Sequence, residues 1–169
     1  MPPPIEAAAA FGIRYRPMTD DDLPFVAALY ASTRAEEVAA TGWPPDAQAA
    51  FLDQQHRAQH QHYRNVHADA EWLIVERGGE AIGRLYLDET SSAVNLLDIS
   101  LLPDARGSGL GGAILADLLA FAAGRGKDVE IYVEKFNPAR RLYQRLGFEV
   151  VEDAGVYDRM MWRPRAGDQ

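Results

Sequence analysis

The stretch that decides the fold reads Leu96-Leu97-Asp98-Ile99-Ser100-Leu101-Leu102-Pro103-Asp104-Ala105-Arg106-Gly107-Ser108-Gly109-Leu110-Gly111-Gly112. Its apolar first part predicts a β-strand over residues 96–101, and the proline that follows marks the end of that strand. The glycines let the backbone curl so that several N–H groups converge where a helix begins, at the positive end of its dipole. We expect this turn to hold an anion, the pyrophosphate of a nucleotide-like cofactor, at Arg106, Gly107, Ser108, Gly109, Leu110, Gly111 and Gly112.

The elements predicted on either side of the turn form one α/β domain without internal repeats. Before it we expect a strand at 13–16, a helix that begins at Thr19, a helix over about 46–63 and a hairpin that turns at Gly78-Gly79. After it we expect a helix ended by Gly124, a strand at 129–133, a short helix over 137–146, and a closing antiparallel pair at 148–151 and 157–162.

The composition narrows the class of protein. A chain of 169 residues, 47% of them apolar, has the size and core material of one globular domain. A net charge of −8 disfavours nonspecific nucleic-acid binding and favours a cationic acceptor. The absence of an apolar run of about 20 residues argues against a membrane span. The start lacks the basic residues of a signal peptide, so we expect a cytoplasmic protein with a disordered leader over 1–10 and its domain over 11–165.

The sequence also indicates whether the chain has the residues for a metal site. The absence of cysteine excludes disulfides and thiolate ligands. His56 and His60 stand four residues apart, but no acidic residue completes an HExxH motif around them. We therefore expect no metal site.

One alternative comes from the glycine spacing alone. Gly107, Gly109 and Gly112 fit the dinucleotide pattern GxGxxG, and Glu134 follows about twenty residues later. This pattern favours an oxidoreductase that binds a nicotinamide nucleotide. Against that interpretation, residues 103–106 separate the strand from the glycines, a hairpin precedes the turn, and only one further strand–helix unit follows it.

A second interpretation depends on two motifs together. Arg106-Gly107-Ser108-Gly109-Leu110-Gly111 resembles the (Gln/Arg)-x-x-Gly-x-(Gly/Ala) signature of the GNAT acetyltransferase superfamily. Asn137-Pro138-Ala139-Arg140-Arg141-Leu142-Tyr143-Gln144-Arg145-Leu146-Gly147-Phe148 resembles the second motif of that superfamily, Asn…Ala…Leu-Tyr…Gly-Phe. The resemblance covers residues 96–148. It implies an α/β (α+β) GNAT acyl-CoA N-acyltransferase fold, with a mixed, mostly antiparallel sheet of six to seven strands, split near its centre and flanked by about four helices.

The resemblance also implies an activity. It is the transfer of an acetyl group from acetyl-CoA, as co-substrate, to a primary amine of a small molecule or peptide, by direct attack in a ternary complex. The acceptor pocket lies in family members along the second helix, so Tyr63, Trp43 and the histidines are candidates to touch substrate. The other class left open is a regulatory or interaction module that binds acyl-CoA without turnover. The sequence is compatible with a monomer or a homodimer.

The resemblance assigns cofactor-binding residues beyond the turn. Ile99, Ser100 and Leu101 would pair with the pantetheine amides through the main chain. Asn137 and Tyr143 would also contact the cofactor, although Asn137 precedes Tyr143 by six positions where many family members have seven, which puts Phe136 at the usual asparagine position. For Arg106, contact with a phosphate and bracing of the turn are both open.

Three residues are candidates for proton transfer. Tyr143 would reprotonate the coenzyme A thiolate, and the alternative is that it belongs to an apolar stripe with Leu142 and Leu146. Asp98, a carboxylate within an apolar strand, and Glu134, at the end of the next strand, are candidate bases for the amine. A structural hydrogen bond to a neighbouring loop is the alternative for Asp98.

Overall fold

The computed structural model describes residues 1–165. Seven strands form one mixed sheet in the order β1-β2-β3-β4-β5-β7-β6, in which β4 and β5 are the parallel pair. The strands are β1 (Ile13–Pro17), β2 (Glu71–Arg77), β3 (Glu80–Glu89), β4 (Ala93–Leu101), β5 (Asp128–Glu134), β6 (Glu149–Ala154) and β7 (Tyr157–Trp162). The helices are α1 (Leu23–Ala39), α2 (Pro45–Val66), α3 (Leu110–Gly124) and α4 (Arg140–Arg145). The predicted mixed sheet with four helices is confirmed.

The sheet is covered on both faces. Leu85 and Leu87 alternate along β3 with Arg84 and Tyr86, so successive side chains point to opposite sides. The leucines join a core that α3 covers with its fully buried residues, among them Ile114, Leu118 and Ala122. Arg84 and Tyr86 point to the other side, towards α2. The predicted spacing of apolar residues in α3 therefore describes its buried face correctly.

Local signals set most element ends. Gly78 and Gly79 have φ of +61° and +81°, the left-handed conformation that a two-residue hairpin turn needs at both positions. Thr19 caps a short 3₁₀ turn at Asp20–Asp22, and α1 begins directly after it. No helix within residues 1–165 combines the length and the apolar character that crossing a bilayer requires.

The first ten residues differ from the disordered leader that the sequence predicts. They pack against α3 and include a 3₁₀ turn at Ala7–Phe11. The buried carboxylate of Asp117 accepts hydrogen bonds from the backbone N–H groups of Glu6, Ala7 and Ala8, at 3.1, 2.7 and 3.0 Å. This carboxylate lies more than a hundred residues away along the chain, so the local sequence of the segment carries no sign of it.

The start of α4 also differs from the expectation. The helix begins at Arg140, three residues later than the predicted start at Asn137. The side-chain oxygen of Asn137 accepts the backbone N–H of Ala139 at 2.9 Å. Asparagine competes with helical hydrogen bonding in this way, so residues 137–139 form a turn that leads into the helix.

Candidate active site

The sheet opens between β4 and β5. Their parallel pairing begins at Ala93 and Asp128 and ends at Leu96 and Ile131. Beyond that point β5 continues to Glu134 with β7 as its partner, while β4 continues with β3. The two central strands therefore diverge and leave a cleft between their carboxyl-terminal ends.

A β-bulge lies where the cleft begins. Tyr86 pairs with Asp98 and Leu87 pairs with Leu96, so Leu97 is an extra residue in β4. Such a residue bends its strand and increases the local twist. The bulge thus coincides with the point at which β4 leaves β5, and the predicted cofactor-binding residues 99–101 follow it on the open side of the sheet.

The cleft leads into the glycine turn, as we call residues 106–112. Gly107 and Gly109 have φ of +74° and +91°, a conformation that favours glycine, and Gly109 is the N-cap of α3. Among residues 1–165, the backbone N–H groups of residues 107–112 find no acceptor. Unpaired N–H groups at the positive end of a helix dipole are suited to a phosphate.

Arg106 braces this turn. Its Nε donates to the backbone oxygen of Leu101 at 2.8 Å, and its Nη2 donates to Ser32 Oγ of α1 at 3.1 Å. The guanidinium thus connects the end of β4 with α1. The sequence leaves two roles open for Arg106, contact with a phosphate and bracing of the turn. The structure shows the contacts that brace the turn.

Tyr143 lies on α4 with its side chain 4% exposed, and its ring meets that of Phe148 edge to face at 5.6 Å. Burial raises the pKa of Tyr143 well above its usual value, and the negative charge of Asp98 raises it further. The phenol is therefore protonated at neutral pH and lies within electrostatic range of Asp98. Tyr143 comes from α4 and Asp98 from β4, and the charge of Asp98 is felt at the phenol of Tyr143.

Asp98 is held by a buried cation. Its Oδ2 accepts hydrogen bonds from Arg84 Nε at 2.5 Å and from Ser100 Oγ at 2.9 Å. Arg84 is 2% exposed and also donates to Gln59 Oε1 of α2 at 3.0 Å. The partners of this carboxylate thus lie in the neighbouring strand β3 and in β4 itself, and not in a neighbouring loop, which was the structural alternative for Asp98.

Glu134 is the last residue of β5 and lies on the opposite side of the cleft from β4. Its Oε1 accepts from Arg34 Nη2 of α1 at 2.8 Å. Because Ser32 of the same helix contacts Arg106, α1 spans both sides of the opening. Of the two candidate bases, Asp98 is thus the one whose charge raises the pKa of Tyr143, and Glu134 lies in a separate ion pair with Arg34.

Asn137 is exposed, and its side-chain oxygen is used within its own turn. The neighbouring Phe136, which takes the usual asparagine position in the sequence comparison, is 97% exposed. Neither side chain points into the core. The departure in motif spacing thus coincides with the turn that residues 137–139 form before α4.

One face of α2 packs against the sheet beside the opening, and the sequence only partly indicates it. We call the α2 wall the set formed by His56, Gln59, His60 and Tyr63 of α2 with Arg84 and Asp98 of the sheet. Tyr63 Oη donates to the backbone oxygen of the bulge residue Leu97 at 3.1 Å. Positions 56, 59, 60 and 63 lie on one face of a helix. This spacing is the sequence signal that would have placed Gln59 beside the histidines and Tyr63.

The histidines of this wall are packed against aromatic and cationic groups. His56 is 5% exposed, and its ring lies 5.6 Å from that of Tyr30 and 6.1 Å from that of His60. Burial lowers the pKa of His56, and Arg84 and His60 lower it further. The lowered pKa favours the neutral form of the His56 imidazole in the folded α2 wall. Within residues 1–165 no group of three or more His, Asp or Glu residues is arranged to hold a metal ion.

Comparisons with known proteins agree with this geometry. Residues 68–150 match the family model of the acetyltransferase (GNAT) domain. Over 129 residues the chain is 30% identical to a mycothiol acetyltransferase of Corynebacterium aurimucosum, a match that covers 70% of this chain and 42% of the relative. The chain spans less than half the length of the curated relatives it matches.

Solved structures share the fold. The PaiA N-acetyltransferase of Thermoplasma acidophilum, in complex with coenzyme A, superposes with a TM-score of 0.67 at 16% identity, over 89% of this chain and 98% of that one. The putative acetyltransferase YncA of Salmonella typhimurium, with acetyl-CoA, gives a TM-score of 0.55 at 21% identity, over 91% of this chain and 95% of that one. The family match and the shared fold confirm the resemblance to the GNAT superfamily and the predicted architecture.

Proposed function

We propose that this GNAT protein transfers an acetyl group from acetyl-CoA to a primary amine of a small molecule or peptide. One observation carries the proposal: β4 and β5 separate after Leu96 and Ile131, and the opening leads to the unpaired N–H groups of the glycine turn. The coenzyme A and acetyl-CoA complexes of the similar PaiA and YncA structures support the choice of ligand. The net charge of −8 suits a cationic amine as acceptor.

The residues present fit the cofactor. The N–H groups of the glycine turn would bind its pyrophosphate, with the helix dipole adding about 0.3–1 kcal/mol. Residues 99–101 on the open edge of β4 would pair with the pantetheine amides as an added strand does. Arg106 would keep the turn in place, and Asn137 would contribute through the turn that it forms before α4.

Bound acetyl-CoA supplies a thioester whose carbonyl carbon is attacked by the amine nitrogen, so that a C–N bond forms and the C–S bond breaks. Tyr143 then gives its phenolic proton to the departing sulfur. The raised pKa of Tyr143 keeps this proton in place until the thiolate develops. The chain contains no cysteine to carry the acetyl group, which favours direct transfer.

The amine must lose a proton before it attacks. An amine with the pKa of lysine is about a thousandth neutral at pH 7, which adds roughly 4 kcal/mol to the barrier. Asp98 is the better placed of the two candidate bases, because it lies within electrostatic range of Tyr143 and leaves its Oδ1 free of the Arg84 and Ser100 contacts. Glu134, in its ion pair with Arg34, is the second candidate.

Substitution Tyr143→Phe tests the proposal. We expect kcat to fall by about a hundredfold or more, because a general acid typically contributes 10²–10⁴ in rate. The dissociation constant for acetyl-CoA should change less than about twofold, because the ring remains. Release of free coenzyme A, measured with panels of polyamines, aminoglycosides, amino acids and peptides, gives kcat, and calorimetry gives the dissociation constant.

A matched control is Tyr15→Phe. Tyr15 is a largely buried tyrosine in β1, at the far edge of the sheet, and its hydroxyl lacks a partner among the described residues. This variant should keep the parental kcat. An unchanged kcat in Tyr143→Phe would contradict the assigned role, and binding without turnover on any amine would favour the regulatory module.

The remaining alternatives gain no support from the comparisons. Stabilisation by acetyl-CoA but not by NAD in a thermal-shift assay would separate a transferase from a nicotinamide-dependent oxidoreductase. We further propose that residues 11–165 act as one catalytic domain in the cytoplasm, as a monomer or homodimer. Sedimentation analysis at several concentrations distinguishes the two assemblies.

A further inference from the structure

The segment that precedes β1 lies along the first two turns of α3 and ends beside the glycine turn. We call residues 5–11 the strap. Its 3₁₀ turn begins at Ala7, which contacts Asp117, and ends at Phe11, next to Gly109. Gly109 and Asp117 are eight positions apart in the sequence, which is roughly 12 Å along the axis of a helix. The strap therefore connects the middle of α3 with the residue that caps its start.

One end of the strap is held by the buried carboxylate of Asp117. Its Oδ2 accepts the backbone N–H groups of Glu6 and Ala8, and its Oδ1 accepts that of Ala7. Both oxygens of an ionised carboxylate are acceptors, so the three donors are satisfied together. In an asparagine, one of these two atoms would be a nitrogen that carries its own N–H groups and faces a donor. The anchor therefore depends on the carboxylate and not only on its shape.

The other end of the strap is held by the sheet. Gly12 has a φ of +69° and donates its backbone N–H to the oxygen of Ala9 at 3.1 Å, which closes the 3₁₀ turn. Ile13 follows directly, begins β1 and pairs with Arg77 of β2. Phe11 thus lies between two fixed points, the Asp117 anchor and the first strand, which limit its movement away from α3.

The ring of Phe11 lies against the glycine turn. A Cβ atom built on Gly109 would be 3.7 Å from Phe11 Cζ, so the tip of the ring lies beside the N-cap of α3. Phe11 is half-buried and also packs against the hydrophobic core. A glycine adopts positive and negative φ with similar ease, so its own side chain does not hold Gly109 at +91°. A neighbouring group that packs against Gly109 can supply that restraint.

We propose that Phe11 is a positioning residue for cofactor binding. Held by the Asp117 anchor, its ring keeps Gly109 at positive φ and thereby keeps the N–H groups of the glycine turn directed at the pyrophosphate of coenzyme A. This inference rests on the proposed function, since coenzyme A must bind at the turn. Order in the strap and binding at the turn are then linked reciprocally. If detachment of the strap weakens binding by some factor, bound coenzyme A disfavours detachment by the same factor.

Calorimetry with coenzyme A tests this contact without turnover. Phe11→Ala should raise the dissociation constant about five- to tenfold, at the lower end of measured couplings between sites. Phe11→Leu, which keeps a large apolar side chain beside Gly109, should recover most of the affinity. Asp117→Asn should weaken binding to a similar extent as Phe11→Ala, although position 117 is two helical turns away from the N-cap. Unchanged affinity in Phe11→Ala would overturn the proposal.

Val129→Ala is the control for a general loss of stability. Val129 is fully buried near the start of β5, at the end of the sheet opposite to the cleft. Urea denaturation should show a lowered free energy of unfolding in both Val129→Ala and Phe11→Ala. The affinity of Val129→Ala for coenzyme A should nevertheless stay within about twofold of the parent, because distant sites act independently. An equal loss of affinity in the two variants would overturn the positioning role.

Amide hydrogen exchange in the parent chain gives a readout that a purely structural strap would not change. Saturating coenzyme A should slow exchange at Glu6, Ala7 and Ala8 by about the factor in affinity that Asp117→Asn loses. Unchanged exchange at these amides while coenzyme A binds would overturn the coupling and leave the proposed transferase intact. If coenzyme A does not bind the parent at all, the proposed function fails and this inference fails with it.

Discussion

The glycine turn and the α2 wall face the same cleft but are built from different atoms. The turn presents backbone N–H groups that have no acceptor among residues 1–165, and two of its glycines, Gly107 and Gly109, have positive φ. The wall presents side chains that bind one another, with Arg84 paired to Asp98 and hydrogen-bonded to Gln59. The turn is thus prepared for a ligand, whereas Arg84, Asp98, Gln59 and Tyr63 of the wall are already hydrogen-bonded within the protein.

The largest effect should come from breaking the wall. Arg84→Met leaves the Asp98 carboxylate without its cation, and loss of one partner of a buried pair costs about 3–5 kcal/mol of unfolding free energy. Urea denaturation measures this loss. The double variant Arg84→Met/Asp98→Leu should recover most of it, because no uncompensated charge remains.

Arg57→Met supplies the control for that experiment. Arg57 pairs with Asp53 on the exposed side of α2, so its removal should cost less than about 0.5 kcal/mol. If Arg84→Met lowered the free energy of unfolding as little as this control does, the ion pair between Arg84 and Asp98 would not stabilise the wall.

A smaller effect is expected in the turn. Gly109→Ala places a Cβ on a residue with φ of +91°, which costs about 1–2 kcal/mol and favours a different backbone path. We expect acetyl-CoA to bind roughly tenfold more weakly, as calorimetry would show. Gly124→Ala at the end of α3, where φ is not positive, should leave binding unchanged, and equal binding by both variants would contradict the backbone-built site.

The wall should also respond to pH. Because burial, Arg84 and His60 lower the pKa of His56 in the folded state, the unfolded chain takes up a proton first as pH falls. The free energy of unfolding should therefore decrease below about pH 6.5, the usual pKa of histidine. His56→Leu should flatten this slope in denaturation experiments between pH 7 and pH 5, whereas His62→Leu, on the exposed side of α2, should retain it. If the free energy of unfolding changed equally with pH in the parent and in both variants, the assignment of a buried neutral imidazole at His56 would be wrong.

The smallest effect should follow from a side-chain change in the turn. Ser108 Oγ donates to the backbone oxygen of Ala105 at 3.3 Å, so its hydroxyl is used within the turn. If the turn binds through its backbone, Ser108→Ala should change the acetyl-CoA dissociation constant by less than about twofold. A tenfold loss would mean that the hydroxyl itself holds the phosphate.

The same contrast explains what the sequence could predict. The glycine turn and the helix after it were readable because glycine spacing, a preceding proline and helical periodicity are local signals. The roles of Arg84 and Gln59 were not readable, because their contacts depend on strand register. One extra residue at Leu97 decides that Asp98 faces Arg84, and the sequence does not mark a bulge there.

Two further features illustrate the limit. The carboxylate of Asp117 orders residues 6–8 from a position on α3 that no local pattern connects with them. Asn137 uses its side chain to form a turn where its neighbours predict the first residue of a helix. In both places a side-chain oxygen accepts a backbone N–H group in place of a backbone carbonyl oxygen. Secondary-structure propensity alone does not predict such a hydrogen bond.

The most direct test of the account is a backbone amide NMR titration of the protein with coenzyme A. The resonances of residues 107–112 should move among the most strongly in the spectrum, since their N–H groups gain acceptors. Little change is expected at Gln59 and His60, which are already engaged in the α2 wall. Unmoved resonances at 107–112 together with saturable shifts elsewhere would contradict it.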